Sequence, residues 1–547
     1  MQIPRRARTA RLRVATDRRA ATLGLIWLSG FALGGLVAGP AAAQSNAAAD
    51  ASATASSPMS AIDWLSHSLK SAPRDGPAGS TAPVTGAGGI EDIAVLSLDA
   101  PSADTLGLLT PDRTGLPRDL WGKTPEPELA QALRAMPLDQ LPALRGLSLT
   151  LLLAELNPPQ IETPSQRNQL FLARIDRLLD MGALEQANAL LGQAGTASPE
   201  IFRRSFDVAL LLGQENRACK IIERTPGIAP SYAARVFCLA RNGQWDTAEL
   251  TYGTGAALGQ IPAEDRSLLE QFLDPALAEE AGDAPPPDHV TPLAFKMMEA
   301  IGQPLPTATL PLAFAQADLT ENNGWKSQLE AAERLARAGV LDPNRLLGLY
   351  TERKAAASGA LWDRVSAVSA LDEALEASDT DKVATALPDA YDVMASEDLA
   401  PVLGALFGDQ LAGMDLPGRA GRLAYELSLL TPNYEENARK GTQSSAQAAL
   451  LKGLAAGDTS ATPASGARDQ ALKAVFDAPP GAAPERYKGL LPDQLGLALI
   501  EAIGDVGEGA KGDYPRLQDG LSLLRLAGLE TVARRAAIEL IVLGDRG

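Results

Sequence analysis

Histidine and cysteine, the residue types most often used in catalysis and metal binding, are scarce in this chain of 547 residues. The two histidines are His67, in a serine- and alanine-rich segment, and His289, in a proline-rich one. Because histidine is the commonest general base and metal ligand, a Ser-His-Asp triad, a Cys-His pair or a multi-histidine zinc site would have to use one of them. Asp283 and Asp288 stand near His289, but without the regular spacing of a metal site.

One short stretch fits the G-x-G-x-x-G pattern of nucleotide-binding loops: residues 507–512, GEGAKG. That pattern requires a strand before it and a helix directly after it. Here an apolar helical run precedes the stretch and Tyr514-Pro515 follow it, so a loop between helices is the favoured interpretation. Walker, G-x-S-x-G, zinc and calcium motifs are not found in the sequence. We therefore expect no cofactor, no metal and no small-molecule substrate, while the many acids leave a catalytic carboxylate pair open.

The two cysteines, Cys219 and Cys238, lie 19 positions apart, unlike the short spacing of redox and zinc motifs. Two structural interpretations remain: a disulfide between them, or two unpaired thiols packed as small apolar side chains. The compartment and the positions of the cysteines on their helices decide between these interpretations.

The N-terminus has the order of a secretory signal. Residues 1–22 carry seven arginines and one acid, an apolar run occupies residues 23–39, and Ala41-Ala42-Ala43 precede Gln44. This order predicts a signal peptide over residues 1–43, cleaved after Ala43, and a periplasmic protein. No cysteine near the cut would carry a lipid anchor. The alternative is an uncleaved inner-membrane anchor facing the periplasm, because the apolar run has about the shortest length that spans a bilayer.

The chain is acidic, with 49 Lys and Arg against 67 Asp and Glu and a net charge of −18. Cleavage after residue 43 would remove seven of the arginines and increase this excess of acid. Nucleic acids and anionic lipid surfaces are bound through clustered Lys and Arg. The charge therefore argues against nucleic acid as a partner and is suited to solubility.

Composition divides the predicted mature chain into segments. Residues 44–89 are rich in Ala, Ser, Gly and Pro and predict a disordered tether. Residues 275–292 form a linker rich in proline and acid, which separates a predicted helical domain over 90–274 from a second one over 293–547. The strand-like stretch IEDIAVLSLD (90–99) predicts an extended arm against the first helices.

Within the tether, residues 60–69 (SAIDWLSHSL) have the pattern of a short amphipathic helix. Its apolar side chains are those of Ile62, Trp64, Leu65 and Leu69. An isolated helix of this kind cannot bury its own apolar face. It either docks in a groove of another protein or folds back on the helices of its own chain, unless it is a chance cluster.

A repeat of 30 to 31 residues occurs three times between residues 167 and 262. Each unit has an aromatic residue, a glycine eleven positions later and an alanine five positions after that. Glycine permits the tight turn between two helices, and the alanine lets the second helix approach the first. A proline then stops the second helix, at Pro199 and Pro230 in the first two units and slightly later, at Pro262, in the third. The three sets are Phe171, Gly182 and Ala187; Phe202, Gly213 and Ala218; and Tyr232, Gly243 and Ala248.

This arrangement resembles the tetratricopeptide family of helix-turn-helix repeats. The resemblance implies an all-α fold, an α-solenoid of antiparallel helix pairs. Two departures are clear: the family's units have 34 residues, and the Leu-Gly pair of its first helix is replaced, for example by Arg174-Ile175. After residue 292 only the turn spacing recurs, as in Gly528 and Ala533, which indicates a degenerate helical array.

The repeat places the two cysteines on neighbouring helices joined by the turn TPGIAP (225–230). Cys219 lies six residues before this turn and Cys238 eight after it, so both reach similar heights in an antiparallel pair. An oxidising compartment would close the bond, and a loop of this length contributes about 3 kcal/mol in the chain-entropy model. A disulfide is therefore the favoured interpretation.

These expectations favour an exported, non-enzymatic helical-repeat scaffold or adaptor that binds peptides or proteins in the bacterial cell envelope, because stacked helix pairs form extended binding surfaces. Two alternatives stay open. One is a cell-wall (peptidoglycan) enzyme or its accessory, and the other is an envelope structural protein anchored in the inner membrane.

Overall fold

The structure, a computed structural model, describes residues 102–160, 167–195, 198–274, 276, 282–355, 357–477 and 479–544. These residues form 24 α-helices and no strand, with two isolated bridges, Leu109 to Ala154 and Pro125 to Gln160. The prediction of an all-α fold is therefore confirmed. The predicted signal peptide, tether, amphipathic segment 60–69 and extended arm 90–99 lie outside the described residues.

The helices are numbered in chain order. Those before residue 301 are α1 (Pro111–Thr114), α2 (Glu126–Ala135), α3 (Pro142–Leu153), α4 (Gln169–Asp180), α5 (Leu184–Ala194), α6 (Pro199–Leu211), α7 (Glu215–Arg224), α8 (Tyr232–Arg241), α9 (Trp245–Ala257), α10 (Ala263–Leu273) and α11 (Pro292–Ala300). Those after it are α12 (Ala315–Asp318), α13 (Trp325–Arg337), α14 (Pro343–Thr351), α15 (Ala360–Glu376), α16 (Thr380–Ala395), α17 (Ala400–Leu411), α18 (Gly418–Ser428), α19 (Tyr434–Lys440), α20 (Ala446–Ala456), α21 (Ala467–Phe476), α22 (Leu495–Ala510), α23 (Tyr514–Leu526) and α24 (Glu530–Val542).

Helices α4 to α10 follow the three sequence repeats, and each packs against the next along the chain. Gly182, Gly213 and Gly243 end the turns inside the three helix pairs with φ values of 75°, 69° and 79°. Glycine adopts this left-handed conformation without the steric cost of a Cβ atom. The superhelical arrangement of a solenoid stays a prediction.

The other repeated residues mostly face the core. Phe171 and Phe202 are fully buried, whereas Tyr232 is half-buried. The three repeat alanines, Ala187, Ala218 and Ala248, are buried as well. The side chains of the repeat therefore lie mainly in the contacts between helices.

The prolines of the repeat begin helices instead of ending them. Pro199 is the first residue of α6, Pro230 directly precedes the N-cap Ser231 of α8, and Pro262 is the N-cap of α10. A proline at a helix start sacrifices no intrahelical hydrogen bond. The prediction that a proline closes each unit is therefore wrong.

The buried side chains form two large clusters. The smaller one draws on α6 to α11, so it includes residues on both sides of the predicted linker 275–292. Helix α11, which follows the linker, packs against α6 and α10, which precede it. The hydrophobic core therefore continues across this part of the chain.

The last helices of the chain pack against the first. Helices α22 and α24 contact α2 and α3, and the main-chain N–H of Ala143 donates to Oε2 of Glu539 over 2.8 Å. Trp121, 2% exposed, lies over Gly496, where an added Cβ would stand 2.5 Å from its ring. Residues almost 400 positions apart in sequence thus share one interface.

Candidate functional site

A cavity of about 420 Å³ opens where several helices of the smaller cluster begin. Its walls come from α6, from the first turns of α8 and α10, and from α11 with the residues just before it. Ser231 and Thr291 cap α8 and α11 at this place, each accepting a hydrogen bond of 3.1 Å from the main-chain N–H three residues later. Each cap satisfies one of the free main-chain N–H groups at the start of its helix.

Helix α6 supplies two polar residues of the cavity lining. Phe202 and Phe206 anchor this helix in the core with exposures of 0% and 1%. Arg203 and Asp207 also lie on it, and their spacing of four residues places them on one face. Both line the cavity together with Phe206.

Asp207 is a buried carboxyl group, 7% exposed. Its Oδ2 is buried and accepts no hydrogen bond from any described residue. Burial raises the pKa of Asp207 to about 7, against the opposing charges of Arg203 and Arg204. Arg204 is itself engaged by Asp176, with distances of 2.6 Å from Nε to Oδ1 and 3.1 Å from Nη2 to Oδ2.

Arg203 adds two unused donors to the same cavity. Its Nε and Nη1 are buried and donate to no other residue that the structure describes. A buried polar atom without a partner costs free energy comparable to a lost hydrogen bond. Two residues that line the cavity thus carry buried donors and a buried acceptor without a partner among the described residues.

Further carboxyl groups line the same cavity. They belong to Glu264, Asp265 and Asp288. Burial, with the nearby charge of Glu264, raises the pKa of Asp265 to about 6. His289 lies beside Asp288 in the lining. Four carboxyl groups thus line the cavity with one guanidinium and one imidazole. When these carboxyl groups are ionised, the lining is complementary to a ligand with positive charge.

The predicted disulfide joins two helices next to this cavity. Cys219 on α7 and Cys238 on α8 are bonded, with their Cα atoms 4.9 Å apart. Both cysteines are buried. Ser231 and Ala234 of α8 line the cavity, so the disulfide fixes one wall of it to the preceding repeat. The prediction of a disulfide is confirmed.

The other sequence-predicted candidates do not form sites in the described part of the chain. Gly507 and Gly509 lie inside α22, and an added Cβ at Gly509 would stand 2.4 Å from Cβ of Leu517. This glycine therefore allows two helices to approach closely. His67 lies outside the described residues.

Metal binding finds no support among the described residues, where no three His, Cys, Asp or Glu side chains are grouped as metal ligands. Asp288 and His289 line the cavity, but Asp283 does not.

Three residues of the cavity, Arg203, Asp207 and Asp265, were not predicted from the sequence. One signal was present: Asp207 interrupts an apolar stretch, RSFDVALLL, in the first helix of a repeat. Aspartate is almost never fully buried unless it is paired, so an aspartate in an apolar helical stretch is unusual.

Searches against protein-family models, curated proteins and solved structures gave no match to this chain. Among the described helices, none combines the length and apolar character needed to cross a bilayer. The cavity is therefore interpreted from its own geometry.

Proposed function

We propose that this chain is an exported helical-repeat scaffold or adaptor of the bacterial cell envelope, and that it binds a polypeptide segment of a partner in the cavity between α6, α8, α10 and α11. The observation that carries the proposal is the set of buried, unpartnered polar atoms on two residues that line that cavity, Nε and Nη1 of Arg203 and Oδ2 of Asp207. Ligand sites typically combine an apolar lining with a few such groups.

The surroundings of these atoms suit a peptide. Phe206, Leu293 and Met297 supply apolar surface in the lining, while a peptide offers N–H and C=O groups at every residue. The Cys219–Cys238 disulfide is compatible with an oxidising compartment such as the periplasm. The order of residues at the N-terminus supports export.

A peptide-display selection against the purified mature chain, residues 44–547, tests this function. We expect enriched linear peptides whose binding is lost in Leu293→Trp, which fills the cavity from α11. The matched control is Leu250→Trp on α9, where the side chain is 71% exposed and outside the cavity. Thermal midpoints of both variants show whether each is folded. Failure to enrich any peptide, or equal binding by folded Leu293→Trp, would overturn the proposal.

One observation favours a second candidate, a cell-wall enzyme or its accessory. Two carboxyl groups in the cavity, Asp207 and Asp265, have pKa values raised to about 7 and about 6, and acid-base catalysts commonly have pKa values near neutrality. A turnover assay on purified peptidoglycan distinguishes the candidates. Cleavage that disappears in both Asp207→Asn and Asp265→Asn would favour the enzyme over the scaffold.

A further inference from the structure

Two residues that line the cavity, Arg203 and Asp207, carry buried hydrogen-bonding atoms without a partner, and these atoms are of two chemical kinds. Nε and Nη1 of Arg203 are donors and require an acceptor, whereas Oδ2 of Asp207 is an acceptor and requires a donor. Both groups lie on α6, four residues apart. A ligand that satisfies both must offer an oxygen acceptor close to a donor group.

The net charge of the cavity lining further restricts which ligands are complementary to it. Asp207, Glu264, Asp265 and Asp288 outnumber Arg203 among the charged groups that line the cavity. A free amino acid, with one ammonium and one carboxylate, is neutral and would place its carboxylate among these acids. A ligand with an ammonium group and an uncharged carbonyl oxygen complements the lining better.

From this combination, and resting on the proposed function, we infer that the cavity binds the free amino terminus of a polypeptide. The α-ammonium group donates to Asp207, and the first carbonyl oxygen accepts from Arg203. The apolar side chains of Phe206, Leu293 and Met297 surround the side chain of the first residue. The N-terminal residue of a peptide carries both an ammonium group and a carbonyl group, attached to the same Cα atom.

The contrast with Arg174 shows how this protein treats a buried arginine that has only a structural role. Arg174 is 2% exposed, and its guanidinium donates to the carbonyl oxygens of Leu106, Leu152 and Ala154 at 2.8, 2.7 and 3.1 Å. Arg203 has no such set of acceptors among the described residues. Its Nε and Nη1 therefore stay buried without a hydrogen-bond partner among the described residues.

Calorimetric titration with three synthetic peptides tests the inference. The probes are Leu-Ala-Ala-Ala amide with a free amino terminus, the same peptide acetylated, and acetyl-Leu-Ala-Lys-Ala amide, which carries its cation on an internal side chain. We expect the free amino terminus to bind about 10- to 100-fold more tightly than the acetylated peptide, the contribution of one charge-assisted hydrogen bond. The internal lysine should not restore this difference.

Protein variants locate the effect. Asp207→Asn should abolish the preference for the free amino terminus, whereas Glu249→Gln, at an exposed position of α9, should leave it unchanged. The comparison of free and acetylated peptides on the wild-type chain needs no variant, so it remains decisive if Asp207→Asn does not fold.

The pH dependence of peptide binding provides an independent test. The charged and titratable groups around Asp207 are Arg203 and Arg204 on α6, Glu264 and Asp265 on α10, and Asp288 and His289 before α11. With the pKa of Asp207 raised to about 7, lowering the pH from 7.5 to 5.5 protonates it and should weaken binding about 20-fold. The ligand's own ammonium gains charge over this range, so a fall in affinity reports the protein's carboxylates.

The outcomes separate the two proposals. Peptides that bind, lose affinity in Leu293→Trp and yet show no preference for a free amino terminus would overturn this inference and leave the proposed function standing. Equal binding of the internal-lysine peptide would identify a basic side chain as the occupant and would also overturn it. No binding of any peptide would overturn both.

Discussion

Among the described residues, some buried charged side chains are paired with an opposite charge and others have an unused atom, and the two arrangements have different consequences. Glu333 and Arg364 belong to the first kind, with distances of 2.6 Å from Nη2 to Oε2 and 2.8 Å from Nε to Oε1. Asp207 and Glu126 belong to the second, since each has a buried oxygen without a hydrogen bond from any described residue. Pairing makes a buried charge tolerable, whereas an unused oxygen favours the protonated form.

The Glu333–Arg364 pair should contribute strongly to stability. Tyr350 also donates to Oε1 of Glu333 over 2.7 Å, which connects α13, α14 and α15. Glu333→Gln leaves Arg364 buried without its main countercharge, so we expect a loss of about 3 kcal/mol in the free energy of unfolding, measured by chemical denaturation. The control is Glu330→Gln on the same helix, whose pair with Lys326 is exposed and should contribute less than about 0.5 kcal/mol. Similar losses in both variants would contradict this account.

Glu126 should make stability depend on pH. Its Oε1 accepts from the main-chain N–H of Leu170 over 2.9 Å, and burial, the largest influence, raises its pKa from 4.5 to about 7. A raised carboxyl pKa means that the folded state holds the proton more tightly, so stability falls as the pH rises from about 4.5 through 7.

Glu126→Gln keeps the acceptor and removes the titration. Denaturation at pH 8 should show the variant more stable than the wild type by on the order of 2 kcal/mol, whereas at pH 4.5 the two should be nearly equal. A difference that does not change with pH would show that the carboxyl group has an ordinary pKa.

At the scale of helices, the prediction from sequence succeeded where the contacts are local. The turns at Gly182, Gly213 and Gly243 and the Cys219–Cys238 disulfide depend on residues within about one repeat of each other. The periodic spacing of apolar residues and the positions of turn residues reveal such local contacts directly from the sequence.

The polar lining of the cavity was not predicted because it depends on longer-range packing. The lining includes residues of α6 and α11, two helices that are separated by about 90 residues in the sequence. The spacing of residues within either helix does not reveal that the two helices are in contact. The prolines were misassigned for another reason: a proline ends one helix and begins the next equally well when the turn between them is short.

The disulfide should stabilise the contact between α7 and α8. Cys219→Ala/Cys238→Ala removes the cross-link without leaving a free thiol, and we expect a loss of about 2–5 kcal/mol in unfolding free energy. Intact mass of the purified wild-type protein, alkylated with and without prior reduction, checks the bond itself. Alkylation of both cysteines without reduction would contradict the structure.

At the scale of the whole molecule, the packing of the last helices on the first is the main feature that the repeat pattern does not contain. Lys123 and Asp493, with 2.7 Å from Nζ to Oδ2, are 370 positions apart. The repeat describes only neighbours in sequence, so this interface was not predicted. It makes the two ends of the described chain depend on each other for stability.

Two glycines of α22 provide a matched test of this interface, because only one of them lies against the first helices. Gly496→Ala would place a Cβ 2.5 Å from the ring of Trp121 and 3.0 Å from the carbonyl oxygen of Leu120, so we expect a loss of about 2 kcal/mol in unfolding free energy. An added Cβ at Gly504 meets no atom within 4 Å. Gly504→Ala should therefore raise stability by up to about 1 kcal/mol through helix propensity. Equal changes in the two variants would contradict the packing of α22 on the first helices.

The central claim is that the cavity bordered by α6, α8, α10 and α11 binds a peptide. A crystal structure of residues 44–547 with Leu-Ala-Ala-Ala amide tests it most directly. The account predicts peptide density in the cavity, with one ligand atom within hydrogen-bond distance of Oδ2 of Asp207 and another near Nε or Nη1 of Arg203. Peptide density elsewhere on the protein, with the cavity empty, would contradict it.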